Sequence, residues 1–172
     1  MQNLMVSIGL TNPKSPTNVG AVMRAAGCYQ VDQVFYSGQR YRRAAKFNTD
    51  TKSAVANIPL TWVEELTEHL SNDIQIVCVE LVEGATPLPE FVHPNNAFYI
   101  FGPEDGTISQ KTVDKADHVV YVPTIGCMNL AATVNVLLYD RLAKLASIDA
   151  NDDLVRLSRD TNNKVKMKNN TK

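Results

Sequence analysis

Two short runs limit the fold more than anything else in the chain. Ile74–Leu81 reads IQIVCVEL and Ala97–Phe101 reads AFYIF. Both are rich in β-branched or aromatic residues, and neither alternates apolar with polar positions. A strand that is apolar on both faces has to be covered on both faces, as parallel strands in α/β sheets are. Leu4–Leu10, Val34–Tyr36 and His118–Val122 read as further strands. Helical patterns fall between them. A helix starting from a Thr17 or Asn18 cap and ending at Gly27 puts Val19, Val22, Met23 and Ala26 on one face. Thr61 followed by Glu64 makes a capping box and predicts a helix over Thr61–Leu70. Ile108–Ala116 predicts a short helix. Residues 129–146 give the strongest one, with Leu130, Val134, Leu137, Leu138 and Leu145 at helical spacing. Gly38–Pro59 is polar and basic and yields no firm element. The alternation predicts an α/β fold, a mainly parallel sheet flanked by helices.

The 172 residues suffice for one domain with its own core. Hydrophobic residues at 44% and charged residues at 20% exclude a disordered, collagenous or coiled-coil chain. No apolar run reaches the ~18 residues that a membrane-spanning helix needs, so no membrane partner is expected. The opening MQNLMVSIGLTNPKS lacks a basic stretch and a cleavage site, so no signal peptide is expected. Cys28, Cys78 and Cys127 are far apart in apolar segments and predict reduced, mostly buried thiols of a cytoplasmic protein. No Cys/His spacing suggests a metal, and His69, His93 and His118 are scattered, so no metal site is expected. The domain is expected to span residues 1–148. Residues 149–172 turn polar and basic and predict a tail, flexible after Leu157.

The net charge of −1 does not itself point to nucleic acid, but its distribution is uneven. Residues 36–52 hold five basic residues, among them Arg40, Arg42, Arg43 and Lys46, against Asp50 alone. Residues 154–172 hold six basic residues against Asp160 alone, whereas residues 61–117 hold eleven acids and two lysines. Positive charge gathered in one internal segment and in the tail can face a polyanion, or can simply be solvated surface.

Several common functions are excluded by missing motifs. No GxG pair is present for a dinucleotide turn, no GxxxxGK[ST] for a P-loop, and no GxSxG for a hydrolase elbow. Three segments remain. In Asn18-Val19-Gly20-Ala21-Val22-Met23-Arg24, an asparagine stands near a helix start where free N–H groups favour anions. Arg24 there has small neighbours and room to hold a phosphate in a bidentate way; a plain surface arginine fits the pattern equally well. Phe101–Thr107 follows a buried strand, at the sheet end where open α/β folds bind ligands, and sets Glu104 and Asp105 between two glycines. An ordinary polar turn has the same look. Val122–Leu130 leads from a strand through Pro123 and Gly126 into the long helix, with Asn129 at its start. Its loop carbonyls and N–H groups can grip a nucleoside edge, although Asn129 as a mere cap and Met128 as core also fit.

Taken together, NVGAVMR at 18–24, FGPEDGTIS at 101–109 and VPTIGCMNLAATVNVLLYDRL at 122–142 resemble the SpoU (TrmH-like) branch of the SPOUT RNA ribose methyltransferases. The resemblance covers roughly residues 5–146. It implies a SPOUT-type sheet with a trefoil knot at its C-terminal end, which general folding rules would never suggest. It implies S-adenosyl-L-methionine as cofactor, held at Leu81, Gly84, Gly102, Val122, Ile125, Cys127, Met128 and Leu130. It also implies catalytic roles for Arg24, Asn18, Glu104 and Asn129, with Glu104 orienting Arg24 within the chain or across a dimer. Dimerisation through the helix 129–146 is implied as well, and that helix is apolar on more than one face (Ala131, Ala132, Val136 and Tyr139). Many relatives carry serine where this chain has Ala131.

The function expected from the resemblance is methylation of a ribose 2′-hydroxyl in tRNA or rRNA, with Arg40, Arg42, Arg43 and Lys46 contacting the RNA. A guanidinium is a poor base. Arg24 is therefore expected to clamp the neighbouring phosphate and stabilise developing negative charge. Ala131 and the near-zero net charge motivate the competing expectation, a catalytically weak or inactive RNA-binding protein of the same fold. Methylation of a base instead of ribose is another.

Overall fold

A computed structural model describes residues 4–46, 58–68, 70–145 and 149–168. Seven parallel strands form one sheet: β1 (Val6–Leu10), β2 (Gln33–Tyr36), β3 (Leu60–Trp62), β4 (Gln75–Val79), β5 (Thr86–Pro87), β6 (Ala97–Phe101) and β7 (His118–Tyr121). Their spatial order is β3-β2-β1-β6-β4-β7-β5. The helices are α1 (Pro16–Cys28), α2 (Arg40–Ala45), α3 (Gln110–Val113), α4 (Leu130–Leu145) and α5 (Asp152–Ser158), with a 3-10 turn at Leu88–Glu90. The expected α/β class and parallel sheet are thus observed. The order, with β6 between β1 and β4 and β7 between β4 and β5, is consistent with the implied knot.

Strand alternation sorts the side chains into two cores. Ile8, Leu10, Val34, Val77, Val79, Tyr99, Phe101 and Val120 face α1 and α4. Cys78, Phe98 and Ile100 face the other way and meet Leu66 and Ile108. All five residues of β6 are buried, which is why its sequence shows no alternation.

Helix α1 starts two or three residues earlier than its sequence suggests. Ser15 is the cap, its hydroxyl accepting the Asn18 N–H at 3.3 Å, and Pro16 takes the first helical position, where a missing N–H costs nothing. The side chain of Asn18 is therefore free for other work. Helix α4 begins where Asn129 Oδ1 accepts the N–H groups of Ala131 (2.9 Å) and Ala132 (3.3 Å).

The helix expected over Thr61–Leu70 is not found. Leu60–Trp62 pairs instead with β2 as the edge strand, in the register Tyr36↔Trp62. The capping-box signal is local, whereas Leu60 and Trp62 lie beside an open strand whose backbone groups need partners, and pairing there prevails. Turns follow, and Leu66 inserts into the second core. The short helix expected over Ile108–Ala116 contracts to α3, capped by Ser109. Helix α2 within the basic segment and α5 within the C-terminal segment were not foreseen. Only Cys78 is buried; Cys28 and Cys127 are exposed, contrary to the expectation of mostly buried thiols. Cys28 ends α1 on its solvent side and Cys127 lies in a surface loop. Among the described residues, no helix is long and apolar enough to cross a membrane.

Candidate functional site

All parallel strands point their carboxyl ends at the same rim, so the loops leaving β1, β4, β6 and β7 converge there. These loops contain the three segments singled out in the sequence. Glu104, in the loop after β6, is the hub. Its Oε2 accepts the N–H of Lys14 at 2.9 Å, and its Oε1 accepts the N–H of Ser15 at 3.1 Å and Nδ2 of Asn18 at 3.2 Å. Asn18 Oδ1 in turn accepts Nδ2 of Asn129 at 3.1 Å. One continuous network therefore joins the first, second and third segments, across 86 and 111 residues of chain. Burial acts to raise the Glu104 pKa, but the N–H donors of Lys14 and Ser15 and the Asn18 amide outweigh it and hold the carboxyl below its ordinary value.

Beside this network lies a cleft with an empty volume of about 710 Å³, mouth included. Six of the expected cofactor residues line it: Leu81, Gly102, Val122, Cys127, Met128 and Leu130. Gly84 and Ile125 do not. Gly84 sits in the turn after β4 with open space around it, and Ile125 is fully exposed at the tip of its loop. Ala131, which carries no hydroxyl, is buried, and its N–H is spent on the Asn129 cap.

Glu80 was missed by sequence reasoning. It follows directly on β4, lines the cleft, and accepts the N–H of Ile108 on Oε2 at 3.1 Å and of Leu81 on Oε1 at 2.9 Å. A Cβ on Gly102 would stand 2.7 Å from Glu80 Oε2, so a larger residue there would push the Glu80 carboxylate aside. The available signal was a lone acid at the end of an apolar strand.

Arg24 stands apart. It is exposed on α1 and makes no hydrogen bond or ion pair among the described residues, so within one chain Glu104 does not orient it. The four basic residues expected to meet RNA all lie on or next to α2 and have different surroundings. Arg40 donates to both oxygens of Asp105 (2.7 and 2.9 Å) and twice to the carbonyl of Asn12. This pairing lowers the Asp105 pKa. Arg42 lies over the ring of Trp62, and Arg43 and Lys46 are exposed.

Comparison with known proteins places these features in context. The model of the SpoU rRNA methylase family matches residues 5–139. The tRNA (cytidine-2′-O-)-methyltransferase TrmJ of Methanocaldococcus jannaschii is 25% identical over 160 residues, covering 82% of this chain and 69% of that protein. Among solved structures, the SpoU methyltransferase AviRb of Streptomyces viridochromogenes, in complex with AdoMet, superposes with a TM-score of 0.69 at 18% identity. That match covers 86% of this chain, which spans 60% of the AviRb chain's length. A structure concerned with 2-OH methylation of C/U34 on tRNA superposes with a TM-score of 0.68 at 17% identity, over 86% of this chain and 94% of the other.

Proposed function

The chain belongs to the SpoU rRNA methylase family, and from that premise we propose that it methylates a ribose 2′-hydroxyl in tRNA or rRNA with S-adenosyl-L-methionine. The observation that carries this reading is the Glu104–Asn18–Asn129 network, which holds three distant loops together beside one cleft. The cleft suits such a cofactor. Its Met128 and Leu130 offer apolar wall to a heteroaromatic ring, and Glu80 and Glu104 bring negative charge toward a cationic sulfonium and ammonium. Leu81, Gly102, Val122 and Cys127 complete the lining.

S-adenosyl-L-methionine, when bound, supplies an electrophilic methyl group. The chain's own residues position the acceptor and stabilise charge. Asn18 and Asn129 fix the loops between cleft and RNA. Glu104 anchors the start of α1, and with it the helix that carries Arg24. Arg24 clamps the phosphate next to the reacting ribose and stabilises the negative charge that grows on the 2′-oxygen. The exposed Arg43 and Lys46 of the α2 region, and Lys164, Lys166 and Lys168 of the tail, add a sequence-independent hold on the RNA backbone.

The same reading includes a homodimer. Ala132, Val136, Tyr139 and Ala143 recur at helical spacing on the exposed face of α4, and that face borders a groove with Tyr29 and Pro123. A second copy covering this stripe would bury it and bring α1, which packs on α4, to the interface with its Arg24.

The test is a comparison of 2′-O-methylation maps of total RNA from cells with and without the gene, followed by transfer assays on the RNA identified. Arg24→Ala is expected to keep cofactor binding by calorimetry and lose most methyl transfer. Unchanged turnover would remove Arg24 from the mechanism. Methylation found on a base, or bound cofactor without transfer to any RNA, would replace the reading with one of its two competitors.

A further inference from the structure

The cleft occupies only one part of the rim. The last residues of the strands pair in a row across the sheet: Val79, Phe101, Leu10, Tyr36 and Trp62. Val79 and Phe101 line the cleft. Trp62 ends the row on the edge strand, three strand spacings from Phe101, or about 14 Å.

Trp62 is the chain's single tryptophan and remains 38% exposed. Its Nε1 donates to the carbonyl of Gly38 at 2.9 Å, which fixes the orientation of the indole. The Arg42 guanidinium lies 5.3 Å from the ring centroid. A planar cation and an aromatic ring thus hold each other at the surface, with the indole still partly open to solvent.

The pair is also tied to the site. Arg40, two residues before Arg42, bonds both oxygens of Asp105, the neighbour of Glu104, and the carbonyl of Asn12 in the loop after β1. Gly38, which receives the indole N–H, has φ of +76° and packs against Asn12 so closely that a Cβ would stand 2.1 Å from Asn12 Oδ1. Between Tyr36 and Lys46 there are four basic residues and no acid.

We propose that Trp62 and Arg42 form a stacking platform for an unpaired nucleobase of the RNA, close along the strand to the ribose being methylated. The occupant follows from charge and shape together. A base stacks on an indole or a guanidinium plane, and the phosphates on either side of it meet Arg43 and Lys46. The proposal rests on the RNA-methylating reading but extends it to residues that the three motif segments do not contain.

Because Trp62 is the only tryptophan of this chain, its fluorescence reports the platform without any substitution. Titration with an unstructured oligoribonucleotide, and with the RNA identified by the methylation maps, is expected to quench it. Trp62→Leu is expected to raise KM for RNA on the order of ten-fold. Its kcat and its S-adenosyl-L-methionine affinity are expected to stay close to wild type, and Trp62→Phe to recover most of the loss. Methyl transfer at saturating RNA without any quenching would overturn the platform and leave the reaction standing. Quenching by RNA in a protein that transfers no methyl would uphold the platform and overturn the reaction. Quenching that depends on protein concentration alone would assign the surface to a second copy of the chain and overturn the proposal.

Discussion

The amide of Asn129 works in two directions. Its Oδ1 accepts the N–H groups of Ala131 and Ala132 at the start of α4, and its Nδ2 donates to Asn18. The two roles separate by substitution. Asn129→Asp keeps an acceptor for the cap but loses the donor, and it sets a second carboxylate near Glu104. It is expected to keep the helix cap while losing most methyl transfer. Asn129→Ala should also lose about 1 kcal/mol of stability, because the cap goes with it. Thermal melts and transfer assays on both variants check this. Asn18, Glu104 and Asn129 were legible as site residues only through the family resemblance of their three segments, since each taken alone also fits a helix cap or an ordinary polar turn. Glu80 and Trp62 were not, since both lie outside those three segments. Only the folded chain shows what they touch.

Helix α4 is docked by more than its apolar stripe of Leu130, Val134, Leu137 and Leu138. Arg141, buried, donates to the Tyr99 hydroxyl and to the carbonyls of Pro94 and Asn95. His93, also buried, has Nδ1 2.7 Å from the Tyr99 hydroxyl and Nε2 2.8 Å from Asp140. The donors assign a neutral imidazole. Arg141 donates to the Tyr99 oxygen, Tyr99 donates to Nδ1, and Nε2–H donates to Asp140. A second ring proton would leave the Tyr99 O–H without an acceptor. Burial holds the His93 pKa below 6.5 against the opposing pull of Asp140, and pushes the Tyr99 hydroxyl up to about 12. The unfolded chain therefore binds a proton at His93 more readily than the folded one. The contribution of His93 to stability is full above 6.5 and is lost as the pH falls from there through the folded value. Melting temperatures taken from neutral to mildly acidic pH are expected to fall over that window, and His93→Gln is expected to flatten the dependence. At this scale the five central strands could be read from short apolar runs and both long helices from helical periodicity. Strand β3 could not, because three residues are too few for a period and their state was set by the open edge of β2. Helix α2 was equally hidden, since none of its residues is buried and its position depends on Arg40 reaching Asp105.

For the whole molecule, the exposed stripe on α4 leads to the clearest test of assembly. Tyr139 is 63% exposed on a helix whose other face is buried in the core. Tyr139→Glu sets a charge in the middle of the stripe, and light scattering is expected to show the mass of a single chain where wild type shows two. Transfer is expected to fall with it, while the melting temperature of the separated chain changes little, since the residue supports no core contact. A monomeric wild-type protein would refute the dimer and leave the cleft as it stands. By itself the sequence determined the layer architecture, which is written in apolar runs that demand cover on two faces, while it singled out the motif residues only through the resemblance of three segments to a known family. Tertiary structure alone decided which strands are neighbours, that Glu104 reaches Asn18 across 86 residues, and that Arg24 stands outside that network. The reason is that strand order and long-range hydrogen bonds depend on how distant segments share one sheet, and the energy of that sharing belongs to no single window of the chain.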